Sequence, residues 1–315
     1  MSAIRVNAIN FPRAESNLMF SRIVADTGGV GAWVHYREPA PLDHQPIVRQ
    51  NRDTLYSAAI VDVTQPATLT LPDPGDRYLS VMVVTQDHYI PRIFHDAGSY
   101  ELTREALGSD FVLLAARILV DPGDPADVAE VNRLQDALGL SSEQSTSFEL
   151  PDYDEESMKR TRQALLQLSE GLPDFRGAFG RPDEVDPVRH LIATASGWGG
   201  LPEHEAHYVN VNPGLSVGEY SLRIVDPPVD AFWSISLYNA EGYFVPNELG
   251  VNNINSITAT PDPDGAVTVY FGVDPSGKTN FLPVMEGWNF LIRLYRPRPE
   301  ALDGTWQVPP VVPVA

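Results

Sequence analysis

The chain has 315 residues, of which 43% are hydrophobic and 20% charged, values typical of a soluble globular protein with one large or two ordinary domains. Its 42 Asp and Glu residues outnumber 22 Lys and Arg residues, and the formal charge of -20 repels nucleic-acid phosphates and anionic lipid surfaces. We therefore expect neither nucleic acid nor membrane as a partner. The absence of cysteine excludes disulfides, thiolate catalysis and thiolate metal ligands.

The N-terminal region predicts a protein that stays in the cytoplasm and begins with a helix. Residues 1–7 lack the basic-then-apolar order of a secretory signal, and no apolar run approaches the ~20 residues of a membrane span. Residues 14–27 have apolar side chains at helical spacing and precede Gly28 and Gly29. This pattern predicts an amphipathic helix with a glycine stop.

The following residues predict a meander of short strands and then a helical portion. Alternating and apolar runs predict strands at 54–63, 67–71, 78–84 and 111–120. Two further segments, 124–138 and 154–168, have helical patterns. The acidic, serine-rich stretch 141–156 between them is interpreted as a solvated connector and a domain boundary.

The last third of the chain is again predicted to be β, and it repeats features of the first meander. Strands are expected at 220–225, 232–238, 266–271 and 290–295. The run Leu69 to Tyr89 resembles the run Leu222 to Tyr243 at a nearly constant offset, and each is followed by an apolar strand with one arginine, Arg117 or Arg293. Duplication of a β unit is one interpretation, and chance similarity between hairpins is the other.

These patterns predict a mainly β protein with three regions. Residues 1–120 form an N-terminal β module with its leading helix, 121–195 a helical connector, and 196–315 a C-terminal β module. Two similar β units are therefore expected, with a helical segment between them.

The candidate site starts with a group of polar residues at the beginning of the predicted strand 54–63, where Asn51, Arg52, Asp53 and Tyr56 occur together. Strand interiors seldom accept so many polar atoms without a partner or a ligand. In a functional interpretation, Arg52 binds a substrate anion or carbonyl and Asp53 or Tyr56 moves a proton. In a structural interpretation, Arg52 and Asp53 pair with other polar groups in a buried seam.

Aromatic and amide residues supply further candidates for ligand binding. Trp233 and Tyr238 lie on a predicted strand, where packing in a core is the alternative to lining a pocket. Trp198 lies among glycines, which is typical of a pocket rim. Asn280, on a predicted loop, either offers its amide to a ligand or braces the turn.

Histidine leaves two questions open. His204 and His207 are spaced to meet on a helical turn and bind a metal, but no third ligand has a recognisable spacing, and a solvated loop is the alternative. His88 follows the predicted strand 78–84 and is either a general base or a surface-loop residue.

Several motifs resemble a known bacterial family. The run from Asn51 to Ser57 is similar to the signature of its N-terminal module, and four runs in the last third are similar to its C-terminal module: 229–238, 280–283, 292–295 and 302–306. The family pairs the domains of unknown function numbered twelve-fifty-four and twelve-fourteen. The resemblance covers about residues 30–120 and 195–310. It implies β-sandwich-like units packed with a helical portion, and it implies no agreed reaction.

Two functions from different classes follow. The first is a cofactor-independent hydrolase or lyase that acts on a small organic molecule in a cavity between the β modules, with Arg52 and Arg293 stabilising negative charge. The second is a protein that binds a small or carbohydrate-like ligand without converting it. The glycines at 28–31 form no phosphate-binding or dinucleotide fingerprint, so no cofactor is expected. A homo-oligomer is compatible with either function.

Overall fold

The chain is organised into two compact units, each assembled from separate segments. The computed structural model describes residues 3–45, 47–142 and 146–314. Unit 1 consists of Met1–Arg37, Tyr56–Ile118 and Val131–Glu203, and unit 2 of Glu38–Leu55, Leu119–Glu130 and His204–Ala315. The division of the chain into modules at residues 120 and 195 stays a prediction.

The first part of the chain, as far as residue 203, contains most of the helices. Its elements are α1 (Phe11–Thr27), β1 (Val34–His35), β2 (Thr54–Asp62), β3 (Ala67–Leu71), β4 (Leu79–Thr85), β5 (Arg92–Phe94), β6 (Gly98–Leu102), α2 (Arg104–Leu107), β7 (Phe111–Leu119), α3 (Pro125–Asp136), β8 (Gly139–Ser142), α4 (Glu155–Ser169) and α5 (Pro187–Ser196).

The remainder of the chain is almost entirely β. Its elements are β9 (Ala206–Val211), β10 (Tyr220–Ile224), β11 (Trp233–Tyr238), β12 (Asn253–Asn255), β13 (Val267–Gly272), β14 (Phe281–Pro283), β15 (Asn289–Tyr295), α6 (Pro299–Leu302) and β16 (Val312–Pro313). Strand accounts for 28% and helix for 20% of the structure, so the mainly β class with an N-terminal helix is confirmed.

Unit 1 contains a five-stranded sheet in the order β1-β2-β7-β4-β5 and a three-stranded sheet in the order β6-β3-β8. All seven positions of β4 are buried, because its sequence has apolar side chains on both faces. Helix α1 ends where Gly28 adopts a left-handed conformation with φ of 76°, as the glycine stop predicted. Phe11 and Ala14 of α1 pack with Met158 and Leu165 of α4.

Unit 2 contains two four-stranded sheets, in the orders β14-β13-β10-β16 and β12-β11-β15-β9. Apolar side chains at alternate positions, including Ile235 of β11, Ile254 of β12 and Ile292 of β15, belong to one hydrophobic core with Leu222 of β10 and Val269 of β13. Because strand side chains alternate between faces, the intervening positions of β11, β12 and β15 point to the opposite face. That opposite face carries the polar residues considered below.

The two units share a pattern of strand pairing, and it involves the strands in which the sequence repeat was found. In unit 1, β4 pairs antiparallel with β5 and β7 while β3 pairs with β6. In unit 2, β11 pairs antiparallel with β12 and β15 while β10 pairs with β13. The register agrees as well: Ser80 lies opposite Arg117, and Ser234 lies opposite Arg293. The same serine-arginine pair therefore occupies the same place in both units.

Two loop predictions were right only in part. The stretch 141–156 was interpreted as a solvated connector; residues 146–154 form no helix or named strand and none of them is buried, but the start of the stretch belongs to β8 and its end to α4. Thr146 also hydrogen-bonds the buried Asp62. Residues 143–145 lie outside the described residues. The segment at His204 and His207 was interpreted as a loop, but residues 206–211 form β9, an edge strand that pairs with β15. Both segments gain backbone partners that only the folded sheets supply.

No helix in the described ranges combines the length and apolar composition required to cross a bilayer.

Gly200 provides a test of the packing in unit 1. A Cβ atom placed on Gly200 would lie 2.4 Å from the ring of Phe179, which itself packs against His88 and Phe175. We expect Gly200→Ala to lower the free energy of unfolding by about 1–3 kcal/mol, the usual cost of overpacking. Urea unfolding followed by circular dichroism measures this loss.

The matched control is Gly29→Ala, because a Cβ atom on Gly29 meets no atom within 4 Å. Equal unfolding midpoints for the two variants would contradict the close approach of Gly200 to Phe179.

Candidate functional site

Asp53 lies immediately before β2, and its side chain is completely buried, with 0% exposure. Its carboxylate accepts a hydrogen bond from the Ser234 hydroxyl at 2.6 Å and one from Asn253 Nδ2 at 2.7 Å. Asn255 Nδ2 lies 3.4 Å from Asp53 Oδ1. Since both carboxylate oxygens accept hydrogen bonds, the desolvation of Asp53 is compensated by groups of unit 2 itself.

Arg293 of β15 is the positive counterpart of Asp53 and is 3% exposed. Its Nη1 donates to Ser236 Oγ at 2.7 Å and lies 3.7 Å from Asp53 Oδ2, while Nη2 donates to Tyr238 Oη at 2.9 Å. The carbonyl oxygens of residues 49 and 50 also accept from Nη2. Burial opposes the charge of Arg293, but Tyr238, Tyr295 and Asp53 outweigh it and raise its pKa above the usual value.

Strand alternation explains why these groups meet. Ser234 and Ser236 flank the core residue Ile235 in β11, and Asn253 and Asn255 flank Ile254 in β12. The residues on either side of each isoleucine therefore share the face opposite the core. We name this set the polar cluster: Asp53, Ser234, Ser236, Asn253, Asn255 and Arg293.

The residues next to Asp53 hold the chain in place. Asn51 Oδ1 accepts from the backbone N–H of Asp53 at 2.7 Å, and its Nδ2 donates to Tyr295 Oη at 3.0 Å. Arg52 is half-buried and donates to the carbonyl of Ala40. Burial lowers the pKa of Arg52, and the nearby Asp53 charge partly offsets this effect. β2 begins at Thr54, so Arg52 and Asp53 precede the regular strand. Their side chains therefore need not alternate between the two faces of the sheet.

Tyr56 and Trp198, two predicted site residues, belong to unit 1. The Tyr56 ring lies 5.5 Å from the guanidinium carbon of Arg117. Trp198 donates from Nε1 to Ser16 Oγ at 3.1 Å and stacks on His88 with ring centres 5.5 Å apart. The structure therefore groups these two rings with other residues of unit 1.

Three other predicted ligand-binding residues have structural contacts. Trp233 is 6% exposed and packs in the core of unit 2. Tyr238 is fully buried and donates to the Gln50 carbonyl at 2.8 Å; burial raises its pKa, and Arg293 opposes this shift. Asn280 has a positive φ of 50°, and its amide bonds both the N–H and the carbonyl of Thr260. Asn280 thus braces its turn, one of the two roles that the sequence left open.

A surface position for His88 was wrong. His88 is 0% exposed, and its Nε2 accepts from the backbone N–H of Gly199 at 2.9 Å. The proton of the neutral ring is therefore on Nδ1, which lies 2.9 Å from the Thr194 hydroxyl. Burial, reinforced by the nearby His190, lowers the pKa of His88 to about 3. Both nitrogens are occupied, so His88 stabilises the fold of unit 1 in its neutral form.

A cavity of about 400 Å³ lies within unit 2. Its walls are the turn 121–123, the loop and strand 249–254, and the segment 275–281. Much of the lining is apolar, and the apolar residues are Pro122, Leu249, Val251, Ile254, Pro275 and Phe281. The volume and the lining are typical of sites for small organic ligands.

Polar groups of the cavity are Asp121, Asn253, Thr258, Lys278 and Asn280. Asn253 is shared with the polar cluster, because its Nδ2 donates to Asp53. Lys278 Nζ donates to Glu219 Oε2 and to the Asp274 carbonyl, both at 2.6 Å. The hydrogen bond from Lys278 lowers the pKa of Glu219, so the ammonium of Lys278 is paired with a carboxylate.

A pattern in the sequence could have identified some of the site residues that were missed. The run from Asn252 to Asn255 alternates amides with one isoleucine, which is typical of a strand with one polar face. Asp121, Thr258 and Lys278 lie in turns and loops without such a pattern, and only the fold brings them together.

His204 and His207 were candidates for metal binding. Among the residues that the structure describes, no group of three or more His, Cys, Asp or Glu side chains is arranged to hold a metal ion.

Comparison with known families identifies two modules. Residues 30–99 match the protein family of unknown function DUF1254, and residues 212–299 match the protein family of unknown function DUF1214. The modules occur in the order that the sequence motifs predicted. No match was found among curated proteins.

Two solved structures share the fold. The VPA0106 protein from Vibrio parahaemolyticus is 17% identical with a TM-score of 0.73, and the match covers 98% of each chain. A putative uncharacterized protein from Burkholderia cenocepacia is 16% identical with a TM-score of 0.50, over 96% of this chain and 88% of the other. At these identities the likeness concerns the fold alone.

We expect Asp53→Ala to lower the free energy of unfolding by about 3–5 kcal/mol, because it leaves Arg293 buried without its carboxylate. Urea unfolding at pH 7 measures the loss. Asp264→Ala is the control, since Asp264 is exposed and pairs with an exposed arginine, Arg223; we expect little change there. A loss no larger than that of the control would contradict the role of Asp53 in the polar cluster.

The burial of His88 predicts a pH dependence of stability. Its folded pKa of about 3 is below the unfolded value of 6.5, so the unfolded chain binds the proton more readily. The contribution of neutral His88 is complete above pH 6.5 and is lost as the pH falls toward 3. Between pH 7.5 and pH 5 this single group lowers the free energy of unfolding by about 2 kcal/mol.

His88→Asn isolates this contribution, because asparagine tolerates the positive φ of 66° at this position and does not titrate. Urea unfolding of both proteins at pH 7.5 and pH 5 should show a smaller pH dependence for the variant. Identical pH dependence would rule out the buried neutral imidazole.

Proposed function

We propose, from the premise that this chain pairs a DUF1254 module with a DUF1214 module, that it binds a small organic molecule in the cavity of unit 2 without converting it. The observation that carries this proposal is the cavity of about 400 Å³, with an apolar lining and a few polar groups. Such an arrangement buries the apolar part of a ligand and orients it by hydrogen bonds.

The position of the cavity relative to the family modules supports this choice. The lining residues from 249 to 281 lie inside the region 212–299 that matches DUF1214. Asp121, Pro122 and Gly123 come from a distant turn outside both matched regions. One wall of the cavity therefore comes from the DUF1214 module, and another comes from the segment 119–130, which also belongs to unit 2.

The polar cluster supports binding by fixing one cavity wall. Asn253 lines the cavity and is tied to Asp53, which in turn lies beside Arg293. A wall held by buried charged groups loses little conformational freedom when a ligand binds, and preorganisation of this kind favours affinity.

The enzymatic alternative, a cofactor-independent hydrolase or lyase that uses Arg52, Asp53 and Tyr56, stays a prediction. The geometry supports binding over this reaction, because both oxygens of Asp53 already accept hydrogen bonds inside a fully buried cluster. A general acid or base needs to come within hydrogen-bond reach of its substrate.

Blocking the cavity tests the proposal. Leu249 lines it and is 46% exposed, so Leu249→Trp adds an indole ring at the cavity wall with little change in the core. We expect saturation-transfer-difference NMR with a panel of monosaccharides, aromatic alcohols and aliphatic alcohols to show signals for the natural protein that Leu249→Trp abolishes. The physical reason is that indole occupies the space of the ligand.

Val225→Trp is the matched control, because Val225 is 56% exposed in unit 2 and does not line the cavity. It should retain every signal of the natural protein. The same NMR profile from all three proteins would overturn the proposal, and product signals after prolonged incubation would favour the enzymatic alternative.

A further inference from the structure

The polar groups of the unit 2 cavity differ in what they can offer a ligand, because several are already engaged. Asn280 uses its amide on Thr260 and on the Thr268 carbonyl. Thr258 Oγ1 accepts from the N–H of Asn255 at 2.9 Å and lies 3.3 Å from its carbonyl. These two side chains hold their own turns and have little capacity left for a ligand.

The cation of the cavity is engaged as well. Lys278 is held by Glu219 and the Asp274 carbonyl, and its Nζ lies 5.7 Å from the centre of the Phe281 ring. Its charge is therefore already balanced by a carboxylate, and an anionic ligand would have to displace that carboxylate to gain an ion pair.

Asn253 is oriented by Asp53. A carboxylate only accepts hydrogen bonds, so Asp53 Oδ1 at 2.7 Å fixes the nitrogen of the Asn253 amide on its own side. The carbonyl oxygen of that amide is consequently turned away from Asp53. Asn253 thus contributes an acceptor to the cavity that it lines.

Asp121 contributes the second acceptor. Its Oδ1 accepts from the N–H of Gly123 at 2.9 Å, which fixes the carboxylate at the turn and leaves Oδ2 for a ligand. The cavity therefore offers two acceptors, Asn253 Oδ1 and Asp121 Oδ2, beside an apolar wall that includes Phe281.

From these contacts we propose that the cavity binds a polyhydroxylated molecule, such as a sugar, whose hydroxyl groups donate to Asn253 and Asp121 and whose C–H groups pack on the apolar lining. This inference rests on the proposed function and specifies its ligand class. Each hydroxyl group brings one donor, so two neighbouring hydroxyl groups match the two acceptors. An ether or ester without donors would leave both acceptors unpaired.

A matched pair of probes tests the ligand class: methyl β-D-glucopyranoside and its fully O-methylated ether. Titration of the natural protein followed by saturation-transfer-difference NMR should give saturable binding of the glucoside. Methylation should weaken binding by about tenfold or more, because it removes the donors that the two acceptors require.

Variants locate the effect. Asp121→Asn keeps the shape of the side chain and should weaken glucoside binding by about threefold to tenfold through the loss of a charged acceptor. Asn253→Ala should weaken it to a similar degree, while Asn210→Ala, on the exposed edge strand β9, should bind as the natural protein does. Thermal melting in parallel checks that each variant is folded; if Asn253→Ala is not, Asp121→Asn alone decides.

The results separate this inference from the proposed function. If only compounds without hydroxyl donors bind, and Leu249→Trp abolishes their binding, the cavity is a ligand site but the ligand class is wrong. Equal binding of the methylated ether also overturns the ligand class alone. If Leu249→Trp changes no binding at all, the proposed function itself fails.

Discussion

The interaction on which unit 2 depends is the burial of Asp53 beside Arg293. Both side chains are buried. Transfer of each charge from water costs several kcal/mol, and the attraction between the two charges offsets this cost only when additional hydrogen bonds are present. Two serines and two asparagines from β11 and β12 supply those bonds. The segment before β2 is thereby fixed on the polar face of the sheet, although nearly two hundred residues separate it from the strands that hold it.

The same strand pairing in unit 1 shows how one scaffold takes different side-chain partners. Ser80 and Arg117 occupy the positions of Ser234 and Arg293. In unit 1 the serine accepts from Tyr78 and the arginine donates to the Gly199 carbonyl over the Tyr56 ring. In unit 2 the serine and the arginine lie instead beside the carboxylate of Asp53. A shared register thus preserves the positions of the pair while neighbouring segments determine their chemistry.

The cavity and the polar cluster are linked through one side chain. Asn253 donates to Asp53 on one side and lines the cavity on the other, so the orientation of its amide is determined by a charge that no ligand touches. The buried ion pair therefore acts on recognition indirectly. Asp53 holds the Asn253 amide in one orientation, and that orientation determines whether a ligand meets a donor or an acceptor. The burial of charge that stabilises the fold therefore also shapes the proposed site.

The sequence by itself determined the mainly β class, the helix that ends at Gly28, eight strands of the two units and the pairing of the two family modules, because periodicity, glycine stops and local motifs are properties of short segments. It also singled out Asp53 and Arg293. Only the tertiary structure decided that Asp53 is a buried partner of Ser234 and Asn253, that Tyr56 and Trp198 belong to unit 1, and that a turn at Asp121 completes a cavity with strand β12. These features depend on contacts between residues far apart in the chain, which no local pattern encodes.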